Sequence, residues 1–245
     1  MKKEILEKYD GQYCTLDDIA MFVDGLNGEV SRKTVIWNVN DLVRQGKAAR
    51  FGRGVYGFIS KAQFCPVMSE SAKRACSLLK EKFKYLVVTV TDSGVLGQFM
   101  NLQPFSTVVV METKKSAIGA VIPFLRKEGV DAYAMRDFSM LEQYVTSSQP
   151  FIVRPELAVN PSLPQEGNIR TANIEKILVD LVCDQDIYGQ YQGEELLNIY
   201  QNATESYVVN FSQMLKYAAA RKKKAPVLEI LQDTEAYKNV RSLFQ

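Results

Sequence analysis

The chain has 245 residues, 47% of them hydrophobic and 24% charged, and a formal net charge of +2. That is the composition of an ordinary globular protein of one large or two modest domains. No apolar run approaches the roughly 20 residues of a bilayer span, and the charged start MKKEILEKYD does not read as a signal peptide. The four cysteines (Cys14, Cys65, Cys76 and Cys183) are scattered, and there is no histidine to complete a metal site with them. Buried free thiols in a reducing, cytoplasmic compartment are therefore expected, with no metal, no cofactor and no membrane partner.

The small net charge conceals a local asymmetry. Residues 1–29 hold three basic against seven acidic side chains, whereas residues 30–61 hold seven basic ones against Asp41 alone. A local excess of this kind makes an electrostatic footprint.

In chain order, MKKEILEKY reads as a first helix. TLDDIAMFVDG reads as a second, with Thr15 as its cap, Asp18 three residues on, and Leu16, Ile19 and Val23 facing inward. Gly25 and Gly28 are expected to bracket a turn. A third helix runs from the cap Ser31 to Gly46. Its inner face carries Val35, Ile36, Val39, Leu42 and Val43, and its outer face Lys33, Trp37, Asn40 and Arg44. The chain's single tryptophan thus stands on a basic stripe, where an outward-facing ring implies a partner. Arg32 and Lys33 oppose the positive end of the helix dipole, which suggests that helix stability is not the reason for their place. AARF, the turn GRG and VYGF then form a hairpin with Arg53 at its apex.

Three helices and a hairpin make a winged helix-turn-helix, whose third helix enters the major groove while the wing reaches the backbone. In that reading Lys33 and Arg44 meet phosphates or guanine edges and Asn40 an adenine edge. Gly52 and Gly54 let the wing tip approach the sugar–phosphate backbone. A protein-docking module is the alternative for the same unit.

KAQFCPVMSE reads as a linker, and Ser69 caps a helix through Phe83. YLVVTVT and STVVVMET are buried strands. KSAIGAVIPFLRKEG is a helix with Pro123 kinking it or delaying its start. VDAYAMRD and FIVRPEL are further strands, with a short helix about FSMLEQYV between them. From Thr171 onward the pattern is helical: TANIEKILVDLVCD, GEELLNIYQNA, NFSQMLKYAAARKKK and PVLEILQ. The fold class is mixed α/β: a winged helix over residues 1–61, then an α/β domain ending in a helical bundle over residues 69–245.

Two patterns invite a catalytic reading. Asp92 and Glu112-x-Lys114 resemble the Asp…Glu-x-Lys set of restriction-type nucleases, in which two carboxylates hold Mg²⁺; a metal-dependent nuclease is the enzymatic alternative. TDSGVLG resembles a nucleotidyltransferase entry loop, but the metal-binding Asp-x-Asp is missing downstream. No catalytic residue is assigned and a non-enzyme is expected. The run Arg221 to Lys224 reads as a solvated helix end, where cations suit the dipole.

RFGRGVYGF, the segment TVTDSGVLGQFMNLQPFSTVVVMETKKSAIGAVIPFL and RTANIEKILVDLV follow one another in an order that resembles AbiEi-type antitoxins, transcriptional regulators of bacterial abortive-infection (type IV toxin–antitoxin) loci. The resemblance implies an N-terminal domain that binds inverted repeats in double-stranded DNA at its own promoter. It also implies a C-terminal domain that neutralises a nucleotidyltransferase-like toxin, with no stable complex required. The family's DNA-binding positions fall on Arg32, Lys33, Thr34, Trp37, Asn40, Arg44 and Arg53. Its later motif falls on Glu175, Lys176 and Asp180, of which Lys176 and Asp180 read as an i, i+4 surface pair.

Overall fold

The computed structural model describes residues 1–101, 104, 106–137 and 147–244. The chain is a mixed α/β protein, with helices at the N-terminus, a mixed sheet in the middle and a helical layer at the C-terminus. The first unit comprises α1 (Lys2–Tyr9), β1 (Tyr13–Thr15), α2 (Leu16–Asn27), α3 (Arg32–Arg44), β2 (Ala49–Gly52) and β3 (Val55–Gly57). Local signals set its helix ends. The Thr15 hydroxyl accepts from the Asp18 N–H while the Asp18 carboxylate accepts from the Thr15 N–H, a complete capping box. Ser31 caps α3 with its hydroxyl, which accepts from the Thr34 N–H, and Gly46 follows the helix end at φ 70°. Gly25 lies inside α2 rather than in a turn; the helix runs on to Gly28, where φ of 76° ends it.

The hairpin gains a third strand that the sequence does not announce. β1 pairs antiparallel with β3, Tyr13 opposite Gly57 and Thr15 opposite Val55, giving the order β1-β3-β2. Val35, Val39 and Leu42 of α3 pack with Ile5, Ile19 and Val23 into a small core of their own.

The second unit begins with α4 (Glu70–Lys82), β4 (Val88–Asp92), a 3₁₀ turn (Ser93–Phe99), β5 (Val109–Thr113), α5 (Ile118–Lys127), β6 (Ala132–Ala134) and β7 (Phe151–Pro155). β8 (Ser162–Pro164), β9 (Ile169–Ala172), α6 (Ile174–Cys183), α7 (Glu194–Ser206), α8 (Phe211–Ala220), α9 (Lys224–Asp233) and α10 (Glu235–Lys238) follow. The sheet order is β6-β7-β5-β4-β9-β8, antiparallel at β4–β5 and β8–β9 and parallel elsewhere. β8 and β9 occupy residues read as loop and helix, so α6 starts at Ile174 instead of Thr171. α5 starts late, after a 3₁₀ turn, and keeps Pro123 inside it. The helix expected about FSMLEQYV lies outside the described residues.

Strand alternation sorts the two faces of the sheet. Val109 and Met111 of β5 and Phe151 and Val153 of β7 pack under α4 and α5. Val110 and Ile152 face the other way, into a core built with α6 to α10. Glu112 and Arg154 follow these two in phase, so each directs a charge under the helical layer.

That larger core also takes Ala49, Phe51 and Val55 from the hairpin, with Phe51 stacked on Phe211 of α8 at 6.4 Å between ring centroids. The segment read as a linker is packed as well. Phe64 is buried, with its ring 5.2 Å from Tyr207 and 6.1 Å from Phe99, and Ala62 bridges to Tyr207. Cys14 and Cys76 are buried thiols, pushed up to about 12 by burial, whereas Cys65 is exposed.

Candidate nucleic-acid interface

Lys33, Trp37, Asn40 and Arg44 all stand exposed along the outer face of α3, with 58% of Trp37 accessible. The Lys2 ammonium lies 4.8 Å from the Trp37 ring centroid, a cation–π contact that adds α1 to this surface. Lys2 also pairs with Asp41 at 2.5 Å, and Arg44 reaches the same carboxylate at 3.2 Å. The Lys2 hydrogen bond, with Arg44 and Gln45 in support, holds the Asp41 carboxyl below the ordinary aspartate range.

Of the remaining sequence-derived positions, Arg32 and Thr34 have side-chain partners inside the chain. Arg32 pairs with Asp17 at the start of α2. That contact offsets its unfavourable place at the N-terminus of α3, so its position requires no external ligand. The Thr34 hydroxyl shares a 2.8 Å hydrogen bond with the capping Ser31. Arg53 extends its side chain into solvent, and Arg32 and Arg53 line one recess of about 610 Å³ together with Asp17 and Asp18.

The hairpin tip itself does not stand free. The Arg53 N–H donates to the Ser212 hydroxyl at 3.0 Å. A Cβ on Gly52 would collide with the Phe244 ring and lie 2.6 Å from Ser212 Oγ. Gly52 is thus required by packing against α8 and the C-terminal segment, not by approach to a nucleic acid. Gly54, at φ 73°, is required by the turn itself, and the space where a Cβ would stand is open.

The nuclease-like set does not assemble. β4 and β5 are antiparallel, with Asp92 opposite Val109 and Glu112 opposite Thr89, so the two carboxylates sit at opposite ends of the ladder. Asp92 accepts from the Ser69 and Gly94 N–H groups as a cap. Among the described residues no group of three or more His, Cys, Asp or Glu is placed to hold a metal ion.

Glu112 instead belongs to a buried charge cluster. Its Oε1 accepts from Arg154 Nη2 at 2.7 Å and from Lys176 Nζ at 3.0 Å. Lys176 also donates to Asp180 and to the Tyr217 hydroxyl, each at 2.8 Å, and Tyr217 donates to Asp180 at 2.7 Å. Arg154 and Arg221 each reach Asp184 at 2.6 Å, and both contact Asp180. Three carboxylates therefore face three cations. Burial would push the Asp180 carboxyl up, but Lys176, Arg154 and Arg221 outweigh it and hold it below the ordinary range.

Two expectations are corrected here. Lys176 and Asp180 are not a surface pair: they are 0% and 1% exposed, because α6 lies between the sheet and the other helices and every residue from Ile174 to Val182 is buried. Arg221 is not a solvated helix end, since it closes the cluster, while Lys222, Lys223 and Lys224 are exposed.

Sequence reasoning missed Lys2, Asp17 and Asp41 around α3, and Arg154, Asp184 and Tyr217 in the cluster. The available signal was charge at inward strand positions, Glu112 two residues beyond Val110 and Arg154 two beyond Ile152. Among the described residues no helix is long and apolar enough to cross a membrane. None of the curated proteins compared with the chain matches it. A family model described as "Family of unknown function (DUF6577)" matches residues 34–237, from α3 into α10, and the chain belongs to that family.

Proposed function

We propose that the protein is a cytoplasmic DNA-binding transcriptional regulator that reads double-stranded DNA with the outer face of α3. The observation that carries this reading is the Trp37 stripe: an exposed indole flanked by Lys2, Lys33 and Arg44, with Lys33 and Asn40 engaged by no other side chain among the described residues. The order helix–strand–helix–helix–strand–strand supports treating the first unit as a winged helix, which offers its third helix to the major groove. In this reading Lys33 and Arg44 contact phosphate or guanine edges and Asn40 an adenine edge.

The resemblance to AbiEi-type antitoxins supports the rest of the proposal: inverted repeats at the protein's own promoter as the operator, and neutralisation of a nucleotidyltransferase-like toxin as the role of the second unit. The docked hairpin favours a wing that contributes the Arg53 side chain alone. Fluorescence anisotropy with the DNA upstream of the gene, against a scrambled duplex, tests the reading. Tighter binding to the upstream DNA, weakening steeply with salt, is expected; equal or absent binding refutes it.

One observation favours a second reading, a protein-docking module. Asp17 and Asp41 already neutralise Arg32 and Arg44, so the surface is less basic than the sequence suggests. Salt-insensitive DNA affinity together with capture of a protein partner through Trp37 would select it.

A further inference from the structure

Where the first unit meets the second, a pocket of about 250 Å³ opens between the hairpin, the connecting segment and the starts of α6 and α8. Its polar lining is Arg50, Gln63, Asn173, Glu175, Asn210 and Gln213. Glu175 is only 6% exposed, and one of its oxygens accepts from the Asn210 N–H at 2.8 Å. No lysine or arginine among the described residues pairs with it, in contrast to Glu112 and Asp180, which are matched by buried cations. A buried carboxylate without a cation is costly, and its burial pushes the Glu175 carboxyl up.

The other lining groups define what could share the space. Asn173 and Asn210 use their side-chain carbonyls to cap α6 and α8, which leaves their NH₂ groups as donors. Arg50 bonds through Nε to the Gly52 carbonyl at 3.2 Å and lies over Tyr56, with no carboxylate partner among the described residues. The pocket thus offers one buried acceptor of negative charge, one guanidinium and several amide donors. A simple cation would meet Arg50 and a simple anion would meet Glu175. A molecule carrying both charges satisfies both, and the volume corresponds to roughly eight waters, which suits about as many non-hydrogen atoms.

We propose that this pocket binds a small zwitterion of amino-acid size, with its ammonium on Glu175 and its carboxylate on Arg50. Because the lining comes from both units, the bound molecule joins the hairpin to α6 and α8. Binding of this kind does not depend on DNA.

The test is isothermal titration of the full chain with each of the twenty proteinogenic L-amino acids. At least one is expected to bind, and its N-acetyl and methyl-ester forms, each lacking one charge, are expected to bind about tenfold or more weakly. Glu175→Gln, which keeps an acceptor for the Asn210 N–H, and Arg50→Gln are each expected to weaken binding to a similar degree while melting as cooperatively as the parent. No binding by any of the twenty would overturn the proposal. Equal binding of the blocked forms to the unaltered protein would overturn it as well, without reliance on either variant folding.

Discussion

Replacing Lys176 by Met removes one cation from a cluster of three cations and three carboxylates, at a site with no access to solvent. The side chains are of similar length, so the cavity left is small and the main effect is electrostatic. Breaking a buried pair on one side costs about 3–5 kcal/mol. Here Glu112 keeps Arg154, and Asp180 keeps Arg154, Arg221 and Tyr217, which points to the lower end, about 3 kcal/mol. A domain of ordinary stability has about 5–15 kcal/mol in total, so the loss is a large share of it. In urea unfolding at pH 7, with a slope of about 3 kcal/mol/M, the midpoint falls by about 1 M. Adding Glu112→Gln restores charge balance and is expected to recover part of the loss. A single variant within about 0.5 kcal/mol of the parent, or a double variant less stable than the single, would refute the view that charge balance holds the cluster.

Other consequences follow from burial and packing. Phe51→Ala removes a ring buried between the two units and is expected to cost about 3–5 kcal/mol. A cost near that of an exposed position would mean that the hairpin is not held by α8. Gly52→Ala is expected to destabilise by about 1–3 kcal/mol, as overpacking against Ser212 and Phe244 requires; a stabilised variant would contradict that contact. Glu175 has a folded pKa above its unfolded value of about 4.3, so its favourable contribution is complete below that pH and is lost as pH rises through the folded value. Glu175→Gln, free of ligand, is therefore expected to be more stable than the parent at pH 7 and equal to it near pH 4. A difference that does not change with pH would show that the carboxyl is not desolvated.

Most helix ends were legible because their causes are local. Thr15 with Asp18, Ser31 with Thr34, and Gly46 at positive φ lie within a few residues of what they terminate. The β-branched runs that became β4, β5 and β7 were legible for the same reason. β1, β8 and β9 were not: each is three or four residues long and, unlike β2 and β3, has no glycine-rich turn with apolar flanks to mark it. β1 and β9 are set by pairing with the distant β3 and β4, and β8 by pairing with β9. The outer face of α3 was read from its own spacing. The long-range partners were hidden: Lys2 reaches Asp41 of α3 across 39 positions, and at the hairpin tip the Arg53 N–H reaches Ser212 across 159. The charge cluster was hidden in another way. Lys176 and Asp180 have the spacing of a surface pair, and only the helices and sheet enclosing α6 turn that spacing into a buried network.

If α3 contacts DNA phosphate through an otherwise unengaged lysine, Lys33 is the residue that must show it. The most direct measurement is the salt dependence of binding to the upstream DNA for the parent and for Lys33→Ala. Each phosphate contact adds about 0.9 to the slope of log affinity against log salt concentration. Weaker binding by the variant, with a slope lower by about 1, is the expected result. Identical affinity and slope in the two proteins would contradict it and remove α3 from the interface.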